Sequence, residues 1–161
     1  RHNRGLIGGM LIGVGLLMLL AERVGRRTRG MEKVGFADAM VVGAAQALAV
    51  VPGTSRSGIT ITAGLFRNLD RATAARFSFL ISTPAIGAAA AKATWDLIRQ
   101  GGVPADLRLP FTLGILLSAA AGCAVIAVLL RFLRSHTLKF FVYYRLVFGI
   151  IVIALATIFR L

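Results

Sequence analysis

The apolar residues of this chain fall into five blocks separated by short polar, mostly basic, interruptions. Residues 5–21, 71–99, 111–130 and 140–159 each reach the length that crosses a bilayer as a helix, about 17 to 25 residues. Gly8, Gly9, Gly13 and Gly15 lie inside the first block, and their small side predicts close packing against another helix. Asp70 or Asn68 is placed to cap the helix over 71–99, and Pro84 inside it predicts a kink. Gly101, Gly102, Pro104 and Pro110 mark the loop that follows it.

The block over 36–66 is different. Asp38 near its start is an N-terminal helix signal, and Pro52-Gly53 breaks the apolar run. At 1.5 Å per residue the piece before the break, 36–51, reaches ~24 Å and the piece after it, 57–66, ~15 Å. Neither crosses a bilayer alone. Two half-length helices around a Pro-Gly turn predict a re-entrant hairpin over 36–66; the competing reading is one kinked span. Basic residues discriminate the two. Arg23, Arg26, Arg27, Arg29 and Lys33 fill the loop over 22–35, Arg67, Arg71 and Arg76 the exit from the block, and Arg131, Arg134 and Lys139 the loop over 131–139. A hairpin puts all three on one side, as the positive-inside rule demands. A kinked span sets 22–35 and 67–76 on opposite faces. The basic side is then cytoplasmic, and the turn opens toward the extracytoplasmic side.

Composition sharpens the class. The 161 residues are 57% hydrophobic with a formal net charge of +13, which excludes an ordinary soluble domain and a disordered chain. The charges sit between apolar runs and not along one amphipathic face, so topology explains them better than nucleic-acid binding. One cysteine, Cys123, lies within an apolar run, so there is no disulfide framework. The chain starts at Arg1 without a methionine or a signal-peptide pattern and reads as a piece of a longer protein. The fold class is an all-α integral membrane protein: a single membrane domain over 1–161, four spans and one re-entrant hairpin.

The candidate chemistry lies in the turn Val51-Pro52-Gly53-Thr54-Ser55-Arg56-Ser57-Gly58. A cationic, hydroxyl-rich turn at membrane depth is costly and marks a functional site. Glycine lets the backbone approach a ligand. The start of the next helix offers unsatisfied N–H donors and a positive dipole end, which together make an anion site. Arg56 adds a planar fork suited to phosphate. Thr54, Ser55, Ser57 and Thr60 add hydroxyls, and Thr60 stands four residues after Arg56. The blander account is that one hydroxyl caps the helix and Arg56 satisfies backbone carbonyls. Gln46 serves either the site or a contact between helices, Ser82 and Thr83 are expected between helices, and Arg145, inside the last span, should snorkel or pair. Trp95, Tyr143 and Tyr144 fit an interfacial belt. The acids Glu22, Glu32, Asp38, Asp70, Asp96 and Asp106 are expected at helix ends or in loops, and His2 and His136 outside the hairpin. No general base or metal cluster accompanies the cradle. Alone, the chain looks like half of an active site.

Gly43-Ala44-Ala45-Gln46-Ala47-Leu48-Ala49, then Pro52-Gly53-Thr54-Ser55-Arg56-Ser57-Gly58, then Thr60-Ile61, Gly64-Leu65, Arg71, Ala74-Ala75, Phe77-Ser78-Phe79-Leu80 and Pro84 resemble in order the second signature of the undecaprenyl-diphosphate phosphatase, or bacitracin-resistance, family. The match by motif covers about 36–90. The resemblance implies hydrolysis of a C55 polyprenyl diphosphate to the monophosphate, recycling of the lipid carrier for peptidoglycan synthesis in a bacterial cytoplasmic membrane, and bacitracin resistance. It implies two inverted repeats, each with a hairpin. Arg56 matches the family's diphosphate-holding arginine, and Ser55, Ser57 and Thr60 its neighbouring hydroxyls. Arg56, Ser55 and Thr60 are therefore the candidate catalytic residues, and Gly53, Thr54, Ser55, Arg56, Ser57, Gly58 and Gln46 the candidate phosphate-binding ones. The family's first half, with a glutamate-rich motif and the nucleophile or base, does not appear in this sequence. The expected partners are the polyprenyl diphosphate, the membrane and that missing N-terminal half, as another chain or segment; a homodimer is compatible. A magnesium or calcium ion suits a diphosphate, although no ligand set here supports one. The alternative function is a transporter or flippase for an anionic or prenyl-phosphate substrate, because broken helices aimed at an anion are also transporter architecture.

Overall fold

The computed structural model describes residues 4–158. His2, and Phe159 at the end of the last predicted span, lie outside the described residues. Six helices account for most of the chain: α1 (Arg4–Val24), α2 (Phe36–Ala47), α3 (Arg56–Phe66), α4 (Arg71–Arg99), α5 (Arg108–Ser135) and α6 (Lys139–Ile158). Short 3-10 turns cover Met31–Lys33, Leu48–Val50 and Ala105–Leu107. Among the described residues there is no β-strand, only one isolated bridge between Arg29 and Leu69. Among the described residues, four segments are long and apolar enough to cross a membrane: Gly5–Val24, Arg71–Arg99, Ala105–Ser135 and Lys139–Ile158. The all-α membrane class and its four spans follow.

The helix boundaries have local causes. Asp38, in the first turn of α2, takes the Gly35 amide on Oδ2 at 3.0 Å. Asp70, and not Asn68, caps α4, accepting from the Thr73 amide at 2.8 Å and the Thr73 hydroxyl at 2.7 Å. Asn68 is left-handed, with φ +62°, and accepts the Arg26 amide on its side chain at 2.9 Å. The 3-10 turn at Leu48–Val50 ends α2 before Pro52. The helix α4 runs through Pro84 as one element.

Helices α2 and α3 pack against each other as a hairpin, and both its ends lie at one end of the bundle. The core makes this plain. Met18 and Ala21 from late α1, Leu65 and Leu69 from the exit of α3, Ala74 and Ala75 from early α4, and Leu133, Leu138 and Val142 from the α5–α6 corner form one buried cluster. The three basic loops that adjoin those residues therefore share one end. The long helix α4 carries the chain to the other end, where the loop over 100–107 lies.

The glycines of α1 divide between two faces. A Cβ on Gly8 would run into Ile153 and come within 3.1 Å of the Gly149 carbonyl oxygen, and Gly15 is in contact with Leu146 of α6. Gly9 and Gly13 face open space. Seven residues separate Gly8 from Gly15, two helical turns, so only that pair lies along the α1–α6 seam. By contrast, α5 buries only Leu133, leaving an apolar surface suited to lipid or to further protein.

Candidate functional site

The turn predicted to carry the chemistry packs against α1. Gly53 has φ +92°, and a Cβ there would stand 2.6 Å from the Ile7 carbonyl oxygen. Only glycine meets both conditions. Ile7 precedes Val24 by 17 residues, roughly 26 Å of helix. The turn thus reaches most of the way from the basic end to the opposite one.

Ser55 is the residue that caps α3. Its Oγ accepts the Gly58 amide at 3.2 Å, and its backbone holds φ +26°. A left-handed non-glycine residue stores strain, and such strain collects at functional sites. The Ile59 amide bonds the Ser55 carbonyl at 3.1 Å, which leaves the Arg56 and Ser57 amides without a protein acceptor among the described residues. Ser55, Arg56 and Ser57 are exposed. Among the described residues the Arg56 side chain has no ion-pair partner. Thr54 is the opposite: it is 1% exposed, and its Oγ1 is buried without a partner among the described residues.

Thr60 shares a helix with Arg56 but turns inward. Its hydroxyl donates to the Arg56 carbonyl at 2.8 Å and lies 2.6 Å from the Ser78 hydroxyl of α4. Gln46 accepts from Ser82 at 2.9 Å, joining α2 to α4. Ser82 fulfils the expected helix-to-helix role, whereas Thr83 bonds its own helix at Phe79 and is exposed.

Arg145 does not snorkel. It is 6% exposed and crosses from α6 to the turn, where Nη2 donates to the Gly53 carbonyl at 3.2 Å. Its guanidinium lies against Gly58, so a Cβ there would collide with it. Its Nε has no partner among the described residues. Of the two outcomes weighed for Arg145, snorkelling or pairing, the structure takes the second, with a backbone carbonyl as partner. The signal was visible: an arginine six residues into a long apolar run has no cheap way out.

Four of the six acids are occupied away from the turn, Asp70 as the cap of α4. Glu22 pairs with Arg71 and, at 3.3 Å, with Arg27. Asp38 pairs with Arg29 at 2.7 Å and Arg67 at 2.8 Å. The hydrogen-bonded Arg29 guanidinium, helped by the Gly35 amide and Arg67, holds the Asp38 carboxyl well below the usual carboxylate range against the opposing effect of burial. Asp96 pairs with Lys92 at 2.8 Å. Among the described residues no three His, Cys, Asp or Glu side chains gather to hold a metal ion.

An apolar cavity of about 210 Å³ adjoins the turn, with Ser55, Ser57 and Arg145 at its polar edge and Met18, Ile61 and Phe141 among its walls. A multi-pass helical membrane protein with a glycine turn leading into a short inner helix is the class these features define. The sequence matches the bacitracin resistance protein BacA family over residues 2–151, and the chain belongs to that family. It is 44% identical over 149 residues to an undecaprenyl-diphosphatase of Geobacter metallireducens, covering 92% of this chain and 55% of that protein. It is 48% identical over 145 residues to one of Thermodesulfovibrio yellowstonii, covering 90% and 55%. To one of Thermomicrobium roseum it is 43% identical over 151 residues, covering 94% and 54%. The chain spans about half the length of these curated relatives.

Proposed function

We propose that this chain supplies the phosphate-binding half of an undecaprenyl-diphosphate phosphatase, which releases phosphate from the C55 diphosphate and returns the monophosphate carrier to peptidoglycan synthesis. The observation that carries the reading is the α3 N-terminus: beside a glycine turn stand two amides and an exposed Arg56 that have no partner among the described residues. Such a cradle favours a phosphate-sized anion. Arg56 neutralises phosphate oxygens as charge builds during transfer. Ser55, Ser57 and the Gly53–Gly58 backbone orient the group, and Thr60 acts through the Arg56 carbonyl that it holds. Apolar walls take the prenyl chain.

The nucleophile or base comes from the first half of the family fold, which faces Arg56 across the repeat interface. A magnesium or calcium ion brought by the diphosphate finds no ligand cluster among the described residues and would be held by substrate oxygens or by that other half. The protein is placed in the bacterial cytoplasmic membrane with its basic end inside. The turn then opens toward the extracytoplasmic side.

The test is phosphate release from a polyprenyl diphosphate by the purified chain, alone and joined to the first half of a relative. Release only in the joined protein supports a divided site with Arg56 as one side. Release by the chain alone would relocate the base to a side chain of this half, among those that otherwise only hold the bundle together. No release from either form would favour a transporter or flippase of the same anion.

A further inference from the structure

The groove between the start of α4 and the end of α5 holds cations that the fold itself does not use. Two cavities meet there, of about 290 and 400 Å³, and Asp70, Ala72 and Arg134 line both. Arg27 and Arg71 line the first, and Glu32, Arg76 and Leu130 the second. None of residues 53–58 lines either one, so the groove is separate from the glycine turn. Its charges divide into two groups. Arg27 and Arg71 pair with Glu22. Asp70 is engaged by the amide and hydroxyl of Thr73. Arg76 and Arg134 are exposed, and among the described residues neither forms an ion pair. Two guanidiniums lining one cavity repel each other unless an anion lies between them. The field around them has the same sign. The three basic loops bring eleven Lys and Arg side chains to this end, against the four carboxylates Glu22, Glu32, Asp38 and Asp70.

The level of the groove narrows the ligand. Arg134 stands one residue before the end of α5, where a span meets the headgroup layer, and basic pockets between spans at that level suit anionic lipid heads. Beyond the groove, residues 83–95 of α4 and 108–128 of α5 are exposed and mostly apolar. A soluble anion would use the cations alone. A phospholipid uses both, with its phosphate between Arg76 and Arg134 and its acyl chains along α4 and α5. Glu32 selects among such lipids. It is exposed and forms no ion pair among the described residues. A phosphomonoester, with about 1.5 to 2 negative charges near pH 7, is repelled by it. A phosphodiester carries a single charge, and a hydroxyl on its head donates to the carboxylate.

We infer that this groove binds an anionic phosphodiester lipid with a hydroxylated head, of the phosphatidylglycerol type, through Arg76 and Arg134, with Glu32 accepting from the head. The inference goes beyond the phosphatase reading and does not depend on it. The lipid is a structural ligand of the basic end and not the substrate. Bound there, it bridges α4 to α5, a helix that buries only Leu133 within this chain, and so stabilises the bundle at the end where the hairpin is closed.

The experiment is thermal unfolding of the chain in detergent micelles doped with dioleoyl phosphatidylglycerol, phosphatidylcholine or phosphatidic acid, at equal mole fraction and fixed ionic strength. Glycerol 3-phosphate is added in a separate series. Phosphatidylglycerol should raise the melting temperature at least twice as far as either other lipid. In the double variant Arg76→Gln, Arg134→Gln that excess should fall to less than a third. The double variant Arg131→Gln, Lys139→Gln removes the same charge from the same end but outside the groove, and should keep most of it. Equal losses in the two double variants would mean diffuse attraction and overturn the site, as would no excess in wild type. A full shift from glycerol 3-phosphate would replace the lipid by a soluble anion and overturn the inference. A shift from phosphatidic acid as large as that from phosphatidylglycerol would remove Glu32 and the hydroxylated head from it. If the first double variant does not fold, Arg76→Gln and Arg134→Gln singly carry the test: each should roughly halve the excess, and an undiminished excess in both counts against the inference. The same series in the chain joined to the first half of a relative should keep the excess. Its loss there would show that protein, and not lipid, covers the groove.

Discussion

Asp38 in the first turn of α2 and Arg67 just beyond α3 are joined by a 2.8 Å ion pair, although the chain between them runs out to the turn and back. The pair closes the hairpin at its base. Arg29 completes the closure: it bonds both Asp38 oxygens, at 3.0 and 2.7 Å, and the Arg67 carbonyl at 2.9 Å. A single kinked span would hold residues 38 and 67 a membrane's width apart.

Removing the closing charge should loosen the hairpin. Asp38 is 1% exposed and its arginine partners are partly exposed, so Asp38→Asn should cost about 2 kcal/mol, the scale of hydrogen bonds to a charged group. The pH dependence has a definite sign. Arg29 depresses the folded-state pKa of Asp38, so the stabilisation is complete above the unfolded value of about 3.9 and is lost as pH falls toward the folded value. Melting temperatures in detergent should differ most between wild type and Asp38→Asn near neutral pH. The gap should narrow between about pH 4 and pH 2. A gap that stays constant over that range would show that the Asp38 charge does not hold the hairpin.

Gly53→Ala should disable the turn rather than merely weaken the fold. The left-handed backbone alone costs a Cβ-bearing residue about 1–2 kcal/mol, and the Ile7 backbone 2.6 Å from the new Cβ cannot move aside without displacing α1. Faster hydrogen exchange at the amides of 54–58 is the expected signature. Unchanged exchange there would mean that the turn tolerates a side chain.

The number of spans, the hairpin and the sharing of one end by the three basic loops were legible because each depends on short-range pattern: apolar block length, a Pro-Gly break, and where Lys and Arg fall. The capping hydroxyl had to be one of Thr54, Ser55 and Ser57, and the structure selects Ser55. What the pattern could not contain was the pairing of distant elements. Asp38 reads as an N-terminal helix signal, which it is, but nothing near it announces Arg29 and Arg67. Gly8 and Gly9 look alike in sequence, and only the position of α6 makes one a packing site and the other open surface. Arg145 was visible as an anomaly. Its target, 92 residues earlier at Gly53, depends on α1 bringing the turn and α6 together.

Thr60 supplies a test of how the site is supported. Its hydroxyl is fully enclosed between the Arg56 carbonyl and Ser78. Thr60→Val keeps the shape but leaves the Ser78 hydroxyl without this partner, which should cost about 1–3 kcal/mol. Thr60→Ser retains the hydroxyl and should recover most of that loss. In the joined protein, Thr60→Ser should keep turnover within a few-fold of wild type. If Thr60→Ser loses turnover while its melting temperature is restored, the threonine methyl group matters to the site in a way hydrogen bonding does not explain.

Arg56 should behave as the inverse of a structural residue. Its side chain is exposed and has no ion-pair partner among the described residues, so Arg56→Ala should change the melting temperature of the chain little, within about 0.5 kcal/mol of wild-type stability. The same substitution in the joined protein should lower phosphate release by about 100-fold or more, the scale of losing a group that stabilises transition-state charge. Arg56→Lys separates charge from geometry: a lysine keeps the charge but not the planar pair of donors. It should recover only part of the rate. Full recovery would mean that net charge alone is required. A large fall in stability with Arg56→Ala would place its guanidinium in the fold and not at the substrate.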